Sequence, residues 1–259
     1  MSAMQAANFN LQDYLARIGF QGVLAADIAT LNALMRCQLF SVPFENLDVQ
    51  AGKVVSIIPE DIVEKIVYQR RGGYCYEVNG VFAMALQALG FDYQLVAARP
   101  MFYPVKRPKT HMAIVVHINQ QAWLCDLGFG SYGIRAPMSL EVLDSEVMQD
   151  HDCFMLTATN TDGFLLKAKV DQAWQPQFAF DLTPWELIDF YPANYMNSTH
   201  PDAIFVQKLL VVFHTQAGRH ILFGNTLKTI ADGVVEKRIL SAAERTDTLK
   251  TLFGLSLLD

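Results

Sequence analysis

The sequence predicts an α+β fold. Three observations carry that prediction: apolar residues recur at helical spacing through the first third, short β-rich runs fill the middle, and the last third mixes the two. Helices that precede strands, rather than alternating with them, argue against a doubly wound parallel sheet.

Asn10 is placed to cap a helix over 11–18. A second helix over 26–39 carries Ile28, Leu31, Leu34 and Met35 on one face, with Pro43 beyond it as a stop. Pro59 suits the first turn of a third helix, which buries Ile62 and Ile66 and ends at Gly72-Gly73. A fourth covers 75–89, with Val78, Phe82, Leu86 and Leu89 facing a core and Gly90 closing it. Strands are expected over 93–98, 111–118, 122–129, 154–158 and 164–170, with Asn160-Thr161-Asp162-Gly163 supplying a turn before the last. Pro184 reads as the opening of a helix, 207–235 as several strands, and Ser241 with Glu244 as the capping box of a final helix.

Composition narrows the function. The chain has 259 residues, 52% hydrophobic and 18% charged, which suits a folded protein with a large core rather than a disordered one. A chain of this size buries roughly 75% of its unfolded surface and needs no disulfide or metal to hold it. The formal charge of −6, without runs of either sign, makes nucleic acid and anionic membranes poor partners, although Lys106, Arg107 and Lys109 form a local basic spot able to hold a phosphorylated ligand. Four widely spaced cysteines, none in a CxxC pair, suit a reducing compartment. With no signal-peptide pattern and no apolar run approaching the roughly 18 residues of a membrane span, a cytoplasmic location is expected.

One constellation carries chemistry. Gly72-Gly73 allows a tight turn that places Cys75 at a helix start, where unpaired N–H groups and the helix dipole favour a thiolate. Taken alone, such a cysteine is more often a buried small side chain. The strands at 111–118 and 122–129 meet around Asn119-Gln120, and an even loop pairs positions that sum to 239. Asp126 then falls opposite Ala113, two residues from His111 on the same face, within side-chain reach. An odd loop would separate them. A helix-start Cys, a strand His and an Asp placed to hold it form the nucleophile, base and orienting acid of acyl transfer.

With these residues the chain resembles the arylamine N-acetyltransferases over nearly its whole length. Arg71 to Glu77 with Asn79 is similar to the family's nucleophile motif, Thr110-His111 to its base strand, and Asp126-Leu127-Gly128-Phe129-Gly130 to its orienting-acid motif. Val42 to Leu47 resembles the N-terminal signature, and Ser198 to Pro201 with Phe205 a downstream segment. The resemblance implies a helical bundle (1–90), a central β-barrel (91–183) and an α/β lid (184–259) around a cysteine-protease-like core. It implies acetyl-CoA as co-substrate, an arylamine or hydrazine as acceptor, a ping-pong route through acetyl-Cys75, no metal, and a place in xenobiotic metabolism. Phe44 and Phe129 would line the acceptor pocket, and Arg70 with Glu45 would form a supporting ion pair. Cys37-Gln38 departs from the histidine that relatives often carry in that region. A homo-oligomer is left open.

Two alternatives differ in kind: an amide synthase moving a carrier-bound polyketide chain onto an aromatic amine, and a non-catalytic binding module on the same scaffold. The formal GxGxxG from Gly128 to Gly133 precedes Ile134-Arg135-Ala136-Pro137, which should not open a long helix, so a dinucleotide site is rejected. Cys37, Cys125 and Cys153 read as core, while His117, His151, His200, His214 and His220 read as structural.

Overall fold

The computed structural model describes residues 4–159 and 163–256, so residues 160–162 of the turn expected over 160–163 lie outside the described residues. The first third comprises α1 (Leu11–Ile18), α2 (Ile28–Leu39), β1 (Phe44–Glu45), α3 (Leu47–Gln50), α4 (Pro59–Val63), a π-helical turn (Glu64–Tyr68) and α5 (Cys75–Ala88). Next come β2 (Asp92–Pro100), β3 (His111–Ile118), β4 (Gln121–Cys125), β5 (Met138–Ser139), β6 (Val147–Gln149), β7 (Asp152–Ala158), β8 (Gly163–Val170) and β9 (Ala173–Trp185). A 3-10 turn (Leu187–Phe190) leads into α6 (Tyr191–Thr199) and α7 (Ile204–Gln207). The chain then forms β10 (Leu210–Thr215), β11 (Gly218–Phe223), β12 (Thr226–Ala231), β13 (Val234–Ile239) and α8 (Ala242–Leu252).

Local chemistry sets the ends of these elements. The Asn10 side chain accepts from Gln12 N and Asp13 N, and Gly19 at φ 67° closes α1. Asp27 caps α2 through Thr30 N, which moves its start from 26 to 28. Ser241 and Glu244 cap α8 reciprocally. The π-helical turn, closed by Gln69 N donating to the Glu64 carbonyl at 2.9 Å, leaves no trace in apolar spacing.

Eight strands form one antiparallel sheet, ordered β5-β4-β3-β2-β9-β8-β7-β6, which curls into half a barrel. The other sheet is β1-β10-β11-β12-β13, in which Phe44 pairs with Val212, so the first and last thirds of the chain share a sheet. Helix α5 lies at the centre, buried from Cys75 through Leu86, and packs against β3. A smaller cluster under α8 joins Leu47, Val211, Leu222 and Leu249. Among the described residues no helix is long and apolar enough to cross a membrane.

Two expectations are corrected. Pro184 does not open a helix; it lies in β9 opposite Val96, where the β2–β9 register shifts and a residue without an N–H is tolerated. The helix proline there is Pro192, in the first turn of α6. The strand expected over 122–129 stops at Cys125, because the following residues peel away to meet α5.

Candidate active site

The hairpin that joins β3 and β4 fixes the site. Asn119 and Gln120 both have positive φ, 50° and 67°, giving a two-residue turn that pairs Ile118 with Gln121 and Ile114 with Cys125. Asp126, one residue past the ladder, reaches back along that face. Its Oδ2 lies 2.8 Å from His111 Nε2, and both side chains are buried. The other carboxylate oxygen accepts from Asn79 Nδ2 at 3.0 Å and from Gly128 N at 2.9 Å. Asn79 in turn accepts from Leu127 N at 2.9 Å and donates to the Met112 carbonyl at 2.7 Å, tying α5, β3 and the Asp126 segment together.

Cys75 is the first residue of α5 and contacts the His111 side chain. Its approach to the Asp126 segment depends on Gly128, where a Cβ would lie 2.5 Å from Cys75 Cα. Burial pulls the His111 pKa down, but the Asp126 carboxylate, helped by Cys75, outweighs it and raises the value to about 10. The carboxylate therefore favours the imidazolium form of the ring. Cys125 faces the other way, and burial followed by Asp126 pushes its thiol up, which keeps it inert.

Behind Cys75 lies a buried charge cluster. Glu77 caps its helix by accepting from Tyr74 N at 3.0 Å and binds Lys65 Nζ at 2.6 Å. Burial raises Glu77 to about 7 against the opposing pull of Lys65. Glu45 pairs with Arg71 at 2.7 Å, which corrects the expected Arg70 partner. The chain reverses at Arg70, with φ 55°, leaving that side chain exposed while Arg71 bridges Glu45 and Asp48.

A cavity of about 310 Å³ opens onto Cys75 and His111. Phe129 lines it, its ring 5.3 Å from that of His111, as do Phe102, Tyr103, Phe205 and Ile221. Phe44 does not line it. Its ring lies one layer behind, in the space Gly130 leaves by lacking a Cβ and 5.9 Å from Phe205. Several contributors were missed from sequence. Phe178 of β9 packs 5.0 Å from both His111 and Phe129, and its alternation with Phe180 was the available signal. Asn79 was visible only as part of a motif. Among the described residues, no group of three or more His, Cys, Asp or Glu is placed to hold a metal, and the four cysteines are free.

Comparison with known proteins identifies the family. A family profile described as N-acetyltransferase matches residues 27–259. The arylamine N-acetyltransferase of Mycolicibacterium smegmatis is 34% identical across 96% of this chain and 93% of its own. That of Escherichia coli K12 is 31% identical across 96% and 90%. Among solved structures, the Nocardia farcinica arylamine N-acetyltransferase superposes with a TM-score of 0.91 at 33% identity, covering 97% of this chain and 91% of that one. The Mycobacterium marinum enzyme in complex with CoA gives 0.89 at 31%, covering 95% and 92%. The chain belongs to the arylamine N-acetyltransferase family of acyltransferases.

Proposed function

We propose that this protein moves an acetyl group from acetyl-CoA to an arylamine or hydrazine in two steps, through acetyl-Cys75. The observation that carries the reading is the buried row Cys75, His111 and Asp126 at the floor of an aromatic-walled cavity. Cys75 thiolate attacks the thioester carbonyl, with the first N–H groups of α5, including that of Cys75, available to the oxyanion. The tetrahedral intermediate expels CoA, whose sulfur takes the proton from His111. The amine then attacks the acetyl-Cys75 carbonyl, neutral His111 accepts its proton, and the Cys75 thiolate leaves. The starting ion pair is restored.

Asp126 holds the imidazole in register and stabilises its charged form, and Asn79 with Gly128 fixes Asp126. Phe129, Phe178 and the Phe205 wall keep water from the acyl-enzyme. Helices within 1–90 supply the nucleophile, residues 91–183 the base and acid, and residues 184–259 part of the cavity wall. The CoA complex of the Mycobacterium marinum relative supports acetyl-CoA as the donor.

Intact-mass measurement after mixing with acetyl-CoA alone tests the scheme. One acetyl adduct on Cys75, absent from Cys75→Ala and discharged by an arylamine, is expected. No adduct at any pH would refute it, and an adduct formed only from a carrier-bound acyl chain would support the amide synthase instead.

A further inference from the structure

The two tyrosines that flank the nucleophile, Tyr74 and Tyr76, both end on α6. The Tyr74 hydroxyl donates to Asn194 Oδ1 and lies 3.1 Å from Ser198 Oγ. Both partners also bind the Val55 backbone: Asn194 Nδ2 donates to its carbonyl at 2.8 Å, and Ser198 Oγ accepts from its N–H at 3.2 Å. Those contacts dock α6 against the start of α5. Tyr76 makes a different connection. Its hydroxyl donates to the Thr110 carbonyl at 2.8 Å, and Asn197 Nδ2 donates to the same oxygen at 3.0 Å. Tyr76 is the residue after the nucleophile, and Thr110 is the residue before the base. One carbonyl therefore receives two buried donors, from the nucleophile's helix and from α6, at the backbone of His111.

That oxygen lies where the sheet restrains the base least. His111 opens β3 and pairs with Ala98 of β2, but the β3–β4 ladder reaches only Ile114, so β4 gives His111 no backbone partner. Residues 101–110 before it belong to no helix or strand. On the far side of His111, Asn79 of α5 holds the Met112 carbonyl at 2.7 Å. With that anchor alone, the strand end is free to pivot about Met112 and carry the imidazole away from the thiol. We propose that Tyr76 and Asn197 are positioning residues, whose paired hydrogen bonds to the Thr110 carbonyl fix the distance between the Cys75 end of α5 and His111. Burial first, then Cys75 and Tyr74, holds the Tyr76 phenol well above its ordinary pKa, so it stays a donor. A carbonyl has two acceptor sites, and either donor holds it alone; only with both gone is the tether lost. The proposal rests on Cys75 and His111 acting as a pair, and it is independent of which donor and acceptor the cavity admits. Asn197 also lines the cavity, whereas Tyr76 does not, so the test must exclude direct contact with a ligand.

Alkylation by iodoacetamide reads the pair with no substrate present. Peptide mass mapping counts the adduct at Cys75, with Cys75→Ala as the blank. The pH at which the rate reaches half its plateau belongs to the Cys75–His111 pair, and a longer separation moves that midpoint upward. At a fixed pH on its acid side, Tyr76→Phe and Asn197→Ala should each slow alkylation about threefold, while the alkaline plateau stays unchanged. The double variant should slow it about thirtyfold, more than the product of the two, as the midpoint moves up by about 1.5 pH units. Should the double variant not fold, Tyr76→Phe decides alone, since it keeps the ring and one donor; its midpoint should rise by about half a pH unit. Lowered thermal stability with an unmoved midpoint would overturn the proposal, and so would an equal fall in rate at every pH. A parent profile like that of the urea-unfolded chain would defeat the pairing of Cys75 with His111, and this proposal with it. If the midpoints move as stated while acetyl-CoA gives no adduct, the acetyl-transfer reading falls and the positioning role stands.

Discussion

Asp126→Asn isolates the role of the carboxylate, because the structure dictates how the amide must orient. Asp126 Oδ1 already receives two N–H donors, from Asn79 and Gly128. An asparagine has one acceptor oxygen, and that oxygen must stay with those donors, since the NH2 group would confront them. The NH2 then faces His111 Nε2, which must give up its proton to accept. The ring is driven into the tautomer with its proton on Nδ1, pointing toward Cys75, and cannot take a proton there. The buried imidazolium also loses the carboxylate that raised its pKa to about 10. Triads that lose their acid in this way slow by roughly 10³–10⁴-fold, or about 4–5.5 kcal/mol of barrier. Every buried donor keeps an acceptor, so the fold should persist. Stopped-flow CoA release with acetyl-CoA would read the rate, and near-UV circular dichroism the fold. An Asp126→Asn variant that is folded and acetylated within about tenfold of the parent rate would refute the argument, since one decade corresponds to only about 1.4 kcal/mol.

Three further outcomes follow from the same geometry. His111 binds its proton more tightly folded than unfolded, so its contribution to stability is complete below the ordinary histidine value and is lost as pH rises toward about 10. Urea midpoints should therefore decline over that window in the parent and decline less in Asp126→Asn. Gly128→Ala sets a Cβ 2.5 Å from the Cys75 backbone, and the shift needed to relieve it should cost about 1–3 kcal/mol in thermal unfolding and slow acetylation. Arg71→Met leaves the buried Glu45 with only Lys65 at 3.8 Å and the Leu47 N–H at 2.6 Å and should cost about 1.5–3 kcal/mol, whereas Arg70→Met, at an exposed side chain, should stay within about 0.5 kcal/mol by the same assay.

The parts of the site that were legible in sequence are local. Cys75 at a helix start follows from Gly72-Gly73 and the apolar spacing after it, and the diagonal placement of His111 and Asp126 follows from a two-residue turn and the period of a strand. Strand β9 was not legible, because Pro176 and Pro184 interrupt it and only irregular pairing with β8 and β2 accommodates them. Phe178 disappeared from view with it. Arg70 and Arg71 are equivalent as a sequence pair, and a left-handed turn at Arg70, after which Arg71 N donates to the Lys65 carbonyl and Gly73 pairs with Pro43 and Glu45, sends one to solvent and the other to Glu45.

The sequence by itself determined the α+β class, the caps of α1 and α8, the β3–β4 register and the placement of Cys75 at a helix start, all consequences of interactions between residues near one another in the chain. Only the tertiary structure decided which arginine meets Glu45, that Phe44 backs the cavity rather than lining it, and that Tyr76 and Asn197 meet at the Thr110 carbonyl. Those outcomes depend on packing between segments far apart in sequence, where space and charge are shared among residues that no local pattern brings together.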